Sequence, residues 1–317
     1  MSFASANLAL GCNTWLSSRS RWSTSAPGVR DETSGAEPKM WLRAPDTGYD
    51  WLYKAVTTKQ GHVHGEDWAE KAAAHLANLV GVPCAHIELA TRGTSRGSIS
   101  LDLRPHLFDL QEGRVLLEGR PGYVHQAGRR GNRPGHSLEN IQAVLDGAVP
   151  PPGWAGFADA TAFDVFAGYI MLDAWIANTD RHPHNWAVLR HATKARPLHL
   201  CGSYDHASCL GFGVLDSKRV LILAEPGGII RWCEKGRAAC FEHTPGLPIP
   251  TLVDAANKAL DLASLRAREH WHSKLAQVRD EDTWQIVTRI PGMSDPARTF
   301  ALSVLEMNRR RVLDACA

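Results

Sequence analysis

The chain has 317 residues, with 35 Lys and Arg against 33 Asp and Glu and a net charge of +2. That balance lacks the basic excess with which nucleic-acid binders attract phosphates, so direct nucleic-acid binding is not expected. Seven cysteines, an odd number without CxxC spacing, do not make a disulfide scaffold and read as the reduced thiols of a cytoplasmic protein. No apolar run reaches the roughly eighteen residues of a membrane span and no secretory leader pattern is present, so no membrane association is expected.

In chain order, the opening residues are rich in Ser, Thr and Arg and predict loosely held chain, with regular structure beginning near Met40. MWLRA and DWLYKAV flank the turn signal PDTGY, which predicts two antiparallel strands. A helix is expected over 68–80, stopped by Gly81 and Pro83. CAHIELA and GSISLDL read as two further strands joined by TRGTSR, completing a small sheet with one helix. Past Leu101 and around Pro105 the character changes, so 1–104 is expected to form an N-terminal lobe and 105–317 a mainly helical C-terminal lobe.

Within the second part, 119–134 is a Gly- and Arg-rich loop carrying Arg129, Arg130 and Arg133, 136–145 can be helical, and successive prolines in 149–154 end that helix. Phe163, Phe166, Ile170 and Ala174 recur at three and four over 159–178, the pattern of a buried scaffold helix. The segment 251–317 predicts at least two amphipathic helices split by IPGMSDP, with Arg309, Arg310 and Arg311 on a solvated face. Eleven tryptophans are read as packing residues.

The scaffold helix runs into IMLDAWIANTDRHPHN, whose loop holds Asp180, Arg181, His182 and Asn185. Asp180 and Asn185 stand five apart, the spacing at which a phosphotransfer loop places the Asp that accepts a hydroxyl proton and the Asn that holds magnesium. After a short apolar strand at 198–201, SYDHASCLGF offers Asp205 as a second oxygen ligand across the same cleft. Upstream, WLYK ends in Lys54, an ammonium suited to nucleotide phosphates, and Glu70 follows sixteen residues later on the expected helix, in reach of Lys54. TSGAEPKMWL supplies Ser34, Gly35 and Ala36, a small-residue loop whose N–H groups could cover phosphate oxygens. Singly, each acid could be a turn or cap residue; their joint order is what favours ATP with Mg2+.

A competing class uses His182 and His184, spaced H-x-H near Asp180 and His206, as zinc ligands of a metal-dependent hydrolase. It leaves Lys54 and SGAEPK without a role, and no HExxH pattern accompanies it. Under the phosphotransfer reading His182 supports the loop through hydrogen bonds, and Asp173 buttresses it from the helix. A catalytically silent binding module is the third class, disfavoured by the presence of Asp180, Asn185 and Asp205 together.

SGAEPK, WLYK, WAEKAAAHLANLVGVP and NTDRHPHN followed by YDHASCLGF resemble the motifs of the HipA-like kinases, from about Gly35 to beyond Asp205. The resemblance implies an α+β, two-lobed protein-kinase-like fold, a small sheet lobe and a mainly helical lobe, and transfer of the ATP γ-phosphate to a Ser or Thr hydroxyl of a protein substrate. It implies Asp180 as catalytic Asp, Asn185 and Asp205 as magnesium ligands, Lys54 as the phosphate-binding lysine and Glu70 as the helix glutamate. Related phosphatidylinositol kinases share a DRH-x-x-N type loop, so a lipid or small-molecule acceptor is the alternative. Glu37 stands where many relatives have Gln, and Glu32 where a modifiable Ser occurs in relatives, its permanent charge mimicking part of a phosphate's effect; any autophosphorylation is expected at Ser34 or Thr33, in the loop beside the transferred phosphate. Larger relatives carry an extra N-terminal subdomain, and only about thirty-four residues precede Gly35 here. An equivalent regulatory domain is therefore either supplied by a separate small protein, such as an antitoxin of a toxin-antitoxin pair, or absent, and the partner is the expectation.

Overall fold

The structure, a computed structural model, describes residues 20–21, 30–32, 39–125, 132–193 and 195–316. Ser34, Gly35, Ala36, Thr33 and Glu37 of the expected phosphate loop lie outside the described residues, as do Arg129 and Arg130.

The first part of the chain is built on period-two alternation. It contains β1 Ser20–Arg21, β2 Arg30–Glu32, β3 Lys39–Arg43, β4 Asp50–Ala55, the β5 Thr58–Lys59 and β6 His62–Val63 hairpin, α1 Glu66–Leu79, β7 Ile87–Arg92 and β8 Ser95–Leu101. Regular structure thus begins before Met40, with two short strands. The main sheet has the order β1-β7-β8-β4-β3-β2, antiparallel apart from β1 on β7. Leu42, Tyr53, Ala90 and Ile99 meet as a small cluster of their own. Gly97 of β8 passes so close to β4 that a Cβ there would sit 2.1 Å from the Lys54 carbonyl oxygen, so only glycine lets the two strands close at Lys54.

Helix α1 starts two residues before the expected range, at Glu66 and Asp67, acids that suit the positive end of the helix dipole. Asp67 is buried and gripped by Arg96 of β8 at 2.9 Å. The other face of α1, through Trp68, Ala69, Ala72, Ala73, Leu76 and Ala77, joins the large core of the second part of the chain. α1 therefore packs on both regions.

The second part contains β9 Phe108–Glu112, α2 Gly113–Leu117, α3 Leu138–Val144, α4 Ala162–Ile176, β10 Ala187–His191, β11 His199–Leu200, α5 Asp216–Ala224, α6 Gly228–Glu234, α7 Leu252–Leu262, α8 Leu265–Ala276, α9 Asp280–Arg289 and α10 Asp295–Ala315. Strands β9 to β11 form a small sheet in the order β11-β10-β9. The scaffold helix α4 is buried along its whole length, as its all-round apolar sequence requires, and a Thr161–Asp164 capping box starts it. Gly168 faces the Trp271 ring, where a Cβ would lie 2.4 Å from the indole. Several tryptophans bury their rings while the indole N–H finds an acceptor: Trp271 on Asp164 O at 2.8 Å, Trp175 on Leu305 O at 3.1 Å and Trp186 on His136 Nε2 at 3.2 Å. The Arg run lies on α10, with Arg309 bonded to Asp280 and Arg310 to Glu306. The architecture is the expected mixed α and β fold, a sheet region followed by a mainly helical one.

The described cysteines Cys84, Cys201, Cys209, Cys233, Cys240 and Cys316 are free thiols. Among the described residues no helix is long and apolar enough to cross a membrane.

Candidate active site

The loop after α4 owes its shape to one buried carboxylate. Ala177 turns the chain off the helix in a left-handed conformation, φ 56°. Asn178 then returns to Asp173 twice, its backbone N–H donating to the carbonyl at 2.8 Å and its Nδ2 to Oδ1 at 2.7 Å. Arg181, buried, donates from Nε and Nη2 to both oxygens of Asp173 at 2.7 Å and from Nη1 to Asn185 O at 2.8 Å. Burial alone would lower the Arg181 pKa, but Asp173 outweighs it and raises it, so the guanidinium stays charged. A buried pair with this bidentate geometry and no idle donor on its inner face is the kind that fixes a loop. The buttress expected of Asp173 is thus present.

Asn185 is 3% exposed and its Nδ2 donates to Asp180 O at 2.7 Å. That bond commits the amide nitrogen and leaves Oδ1 as the atom able to accept a cation. Asp180 keeps 27% of its side chain exposed, with His182 Nε2 4.0 Å from Oδ2 and Cys240 Sγ 3.9 Å from Oδ1. The His182 backbone N–H donates to Asp180 O at 2.8 Å and its Nδ1 accepts the His184 N–H at 3.3 Å, which matches a loop-supporting role. His184 turns to β9 and contacts Glu112 at 2.9 Å. Among the described residues no group of three or more His, Cys, Asp and Glu side chains is placed to hold a metal, so the zinc-hydrolase alternative finds no ligand set there.

Asp205 follows β11 in a left-handed conformation, φ 59°, which an Asp tolerates better than most residues. Its neighbours tie it down. Tyr204 donates to His184 O at 2.8 Å, linking the two loops, and Ser203 exchanges backbone hydrogen bonds with Pro83 and Ala85 from the chain after α1. Lys54 reaches across from β4, its Nζ 2.9 Å from Asp205 Oδ1. Burial alone would raise the Asp205 pKa, but Lys54 and then Lys39 outweigh it and hold the carboxyl well below the usual range.

Lys39 is a residue that motif reading passed over. It ends SGAEPK and stands directly opposite Lys54 in the β3–β4 register, which puts both side chains on one face of the sheet. Two ammonium groups so placed repel, and Asp205 is the anion near both. The signal was available: counting residues back from each side of the PDTGY turn pairs these positions.

Glu70, on α1, is 3% exposed, and its Oε1 accepts the His206 backbone N–H at 2.9 Å. Burial raises its pKa, and the nearby Asp205 charge adds to that, while Lys54 and the N–H groups of His206 and Ala207 favour the ionised form. His206 is itself buried, with Nε2 2.7 Å from Ser203 Oγ, and burial pushes its pKa well down, so it is neutral. Behind the Asp180 loop, His136 is fully buried between Cys240 O, 2.5 Å from Nδ1, and the Trp186 indole, and lies flat on Phe241 at 4.7 Å. Burial takes its pKa down to about 3, and burial takes the Cys240 thiol up to about 12. Neither residue belongs to a short motif, and only the fold brings them behind the loop.

Asn185 is thus bonded to Asp180, Lys54 to Asp205 and Glu70 to the backbone that follows Asp205, while Tyr204 ties the Asp205 loop to the Asp180 loop at His184 O. The amide oxygen of Asn185 and the ionised carboxylate of Asp205 are hard donors that fit magnesium or manganese rather than zinc.

Solved structures share this arrangement of elements. A proinflammatory kinase from Helicobacter pylori, CtkA, aligns with a TM-score of 0.71 at 16% identity, over 94% of this chain and 96% of that one. The toxin-antitoxin complex of HipA, HipB and operator DNA from Shewanella oneidensis MR-1 aligns with a TM-score of 0.53 at 13% identity, over 93% of this chain and 67% of that one. The chain has the kinase-like fold of CtkA and HipA. No family model matches the sequence, and no curated protein matches it.

Proposed function

We propose that the protein is a kinase that transfers the γ-phosphate of ATP to a Ser or Thr hydroxyl of a protein substrate. The observation that carries this reading is the 2.9 Å contact of Lys54 with Asp205, beside a loop whose buried Asp173–Arg181 pair presents Asp180 and Asn185. Lys54, with Lys39 beside it, positions and neutralises phosphate oxygens. Asp180, partly exposed at the rim, orients the acceptor hydroxyl and takes its proton. Asn185 and Asp205 would hold magnesium, which supplies further neutralisation of phosphate charge. Most of the acceleration then comes from positioning and fixed charges rather than covalent chemistry. Support comes from the kinase-like fold shared with CtkA and HipA.

The test is incubation of the purified protein with γ-labelled ATP, magnesium and cell extract, with identification of the labelled species. Labelled phosphoserine or phosphothreonine in a protein, lost in Asp180→Asn and Asp205→Ala, is the expected result. Label only in lipid would move the protein to the lipid-kinase alternative, and full transfer by both variants would overturn the site. Phosphopeptide mapping of the same sample tests Ser34 and Thr33 as self-modification sites.

The partner reading rests on the HipA structure, which is described as a toxin-antitoxin system with HipB. We infer a separate small protein that binds the sheet region of this chain and controls it. Co-purification from the native host should recover that protein; a kinase recovered alone, fully active and harmless on overproduction, would remove it.

A further inference from the structure

Glu70 carries a cost that the phosphotransfer reading leaves unexplained. A carboxylate at 3% exposure loses its hydration, and Oε2 is buried with no hydrogen-bond partner, a burden tolerated only where the other contacts offset it. Those contacts lie in one place. Oε1 accepts the His206 N–H at 2.9 Å, and the Ala207 N–H also favours the charged form. These are the two residues after Asp205, whose left-handed φ of 59° turns successive N–H groups toward a common point, as in backbone nests that cradle anions. The bond joins residues 136 positions apart, so α1 grips the backbone of the loop that carries Asp205.

We infer that Glu70 is a positioning residue for Asp205: its carboxylate fills the nest after Asp205 and so fixes where the Asp205 carboxylate stands relative to Asn185. This rests on the proposed role of those two residues as cation ligands, and it assigns Glu70's work to the cation side of the site instead of to the reach of Lys54. The His206 nitrogen is covalently next to Asp205, so loosening it lets the strained residue relax and carries its carboxylate away. Any partner that shifts α1 would then act on cation affinity first.

Two readouts separate this from other roles. The first is Mn2+ affinity without nucleotide, followed by electron paramagnetic resonance. Glu70→Ala should weaken it about tenfold, the scale of losing an outer-shell partner of a ligand. Glu70→Gln keeps an oxygen acceptor for the His206 N–H and should remain within about threefold of the parent, and Lys54→Met should not weaken it, since it removes an ammonium competing for Asp205. The second is hydrogen exchange by mass spectrometry on the peptide spanning 203–209, which should quicken in Glu70→Ala and recover in Glu70→Gln. Unchanged exchange in Glu70→Ala, or a Gln variant as defective as Ala in both measurements, overturns the inference. If the parent protein bound no Mn2+, the cation reading of Asn185 and Asp205 would fall, and the exchange result would still decide whether Glu70 holds the loop.

Discussion

The sheet region and the helical region bury very different amounts of apolar surface. Leu42, Tyr53, Ala90 and Ile99 make the sheet's own cluster, whereas the main core runs from Trp68 through α4 to Cys316 and includes the fully buried rings of Trp175, Trp186 and Trp271. The proposed site divides the same way. Asp180, Asn185 and Asp205 stand on loops bonded into the large core, and Lys54 and Lys39 project from the six-stranded sheet. Groups that must keep sub-ångström positions sit on the rigid base, while long cationic side chains, which adjust by rotamer, sit on the lighter part. α1, packed on both, is the element through which one region can act on the other.

The largest effect should come from the rim of the base. Asp180→Asn removes the proposed proton acceptor and should cut phosphotransfer by about a thousandfold, while the melting temperature stays within a degree or so, because Asp180 is not part of the buried pair. A large loss of stability would show that Asp180 is a structural residue of the loop. Arg181→Met is the converse. It strands Asp173 at 2% exposure without its bidentate partner and should destabilise the protein by about 3–5 kcal/mol, read by denaturant unfolding. A loss under about 1 kcal/mol would mean that the loop is held elsewhere.

The sheet should respond in the opposite sense. Lys54→Met should lower transfer by about a hundredfold, from lost stabilisation of phosphate charge, with little loss of stability. Lys39→Met, which removes the second ammonium, should raise the KM for ATP by about three- to tenfold with a smaller change in kcat, if its part is uniform phosphate binding. Equal kcat losses for the two lysines would show that the register pair acts as one unit.

How much of this was legible depended on element length and on whether a function sits in one motif. The strands flanking PDTGY, the helix now seen at Glu66–Leu79 and the scaffold helix Ala162–Ile176 were long enough for periodicity to show. β1, β2, β5, β6, β9, β10, α2, α5 and α6 were not anticipated; most are too short to display a period, and α5 exposes Leu221 and Val220, so its pattern does not report a buried face. In the site, Asp180, Asn185, Asp205 and Lys54 could be named because spacing along the chain carries them. The grip of Glu70 on His206, the seat of His136 under Cys240 and the pairing of Lys39 with Lys54 are contacts between distant segments, visible only once the fold has closed.

The smallest effect concerns acid. His136 has its pKa lowered by burial from 6.5 to about 3, and His206 is lowered by burial in the same direction. Each is neutral in the folded protein, while in the unfolded chain each takes a proton as the pH falls below about 6.5. The unfolded state then binds more protons, so stability declines as the pH drops from about 6.5 toward 3, and is unaffected by these groups above that range. His75 on α1, lowered by burial to about 4, adds to the trend. Thermal melts from pH 7.5 to 5 should show the decline, and His136→Gln separates its share. A Gln amide can donate to Cys240 O and accept the Trp186 N–H without titrating, so this variant should show a flatter pH dependence. An identical slope would mean that the histidine under the Asp180 loop contributes nothing to acid sensitivity and that His206 and His75 carry it, placing that sensitivity at α1 and the loop it grips instead of in the helical base.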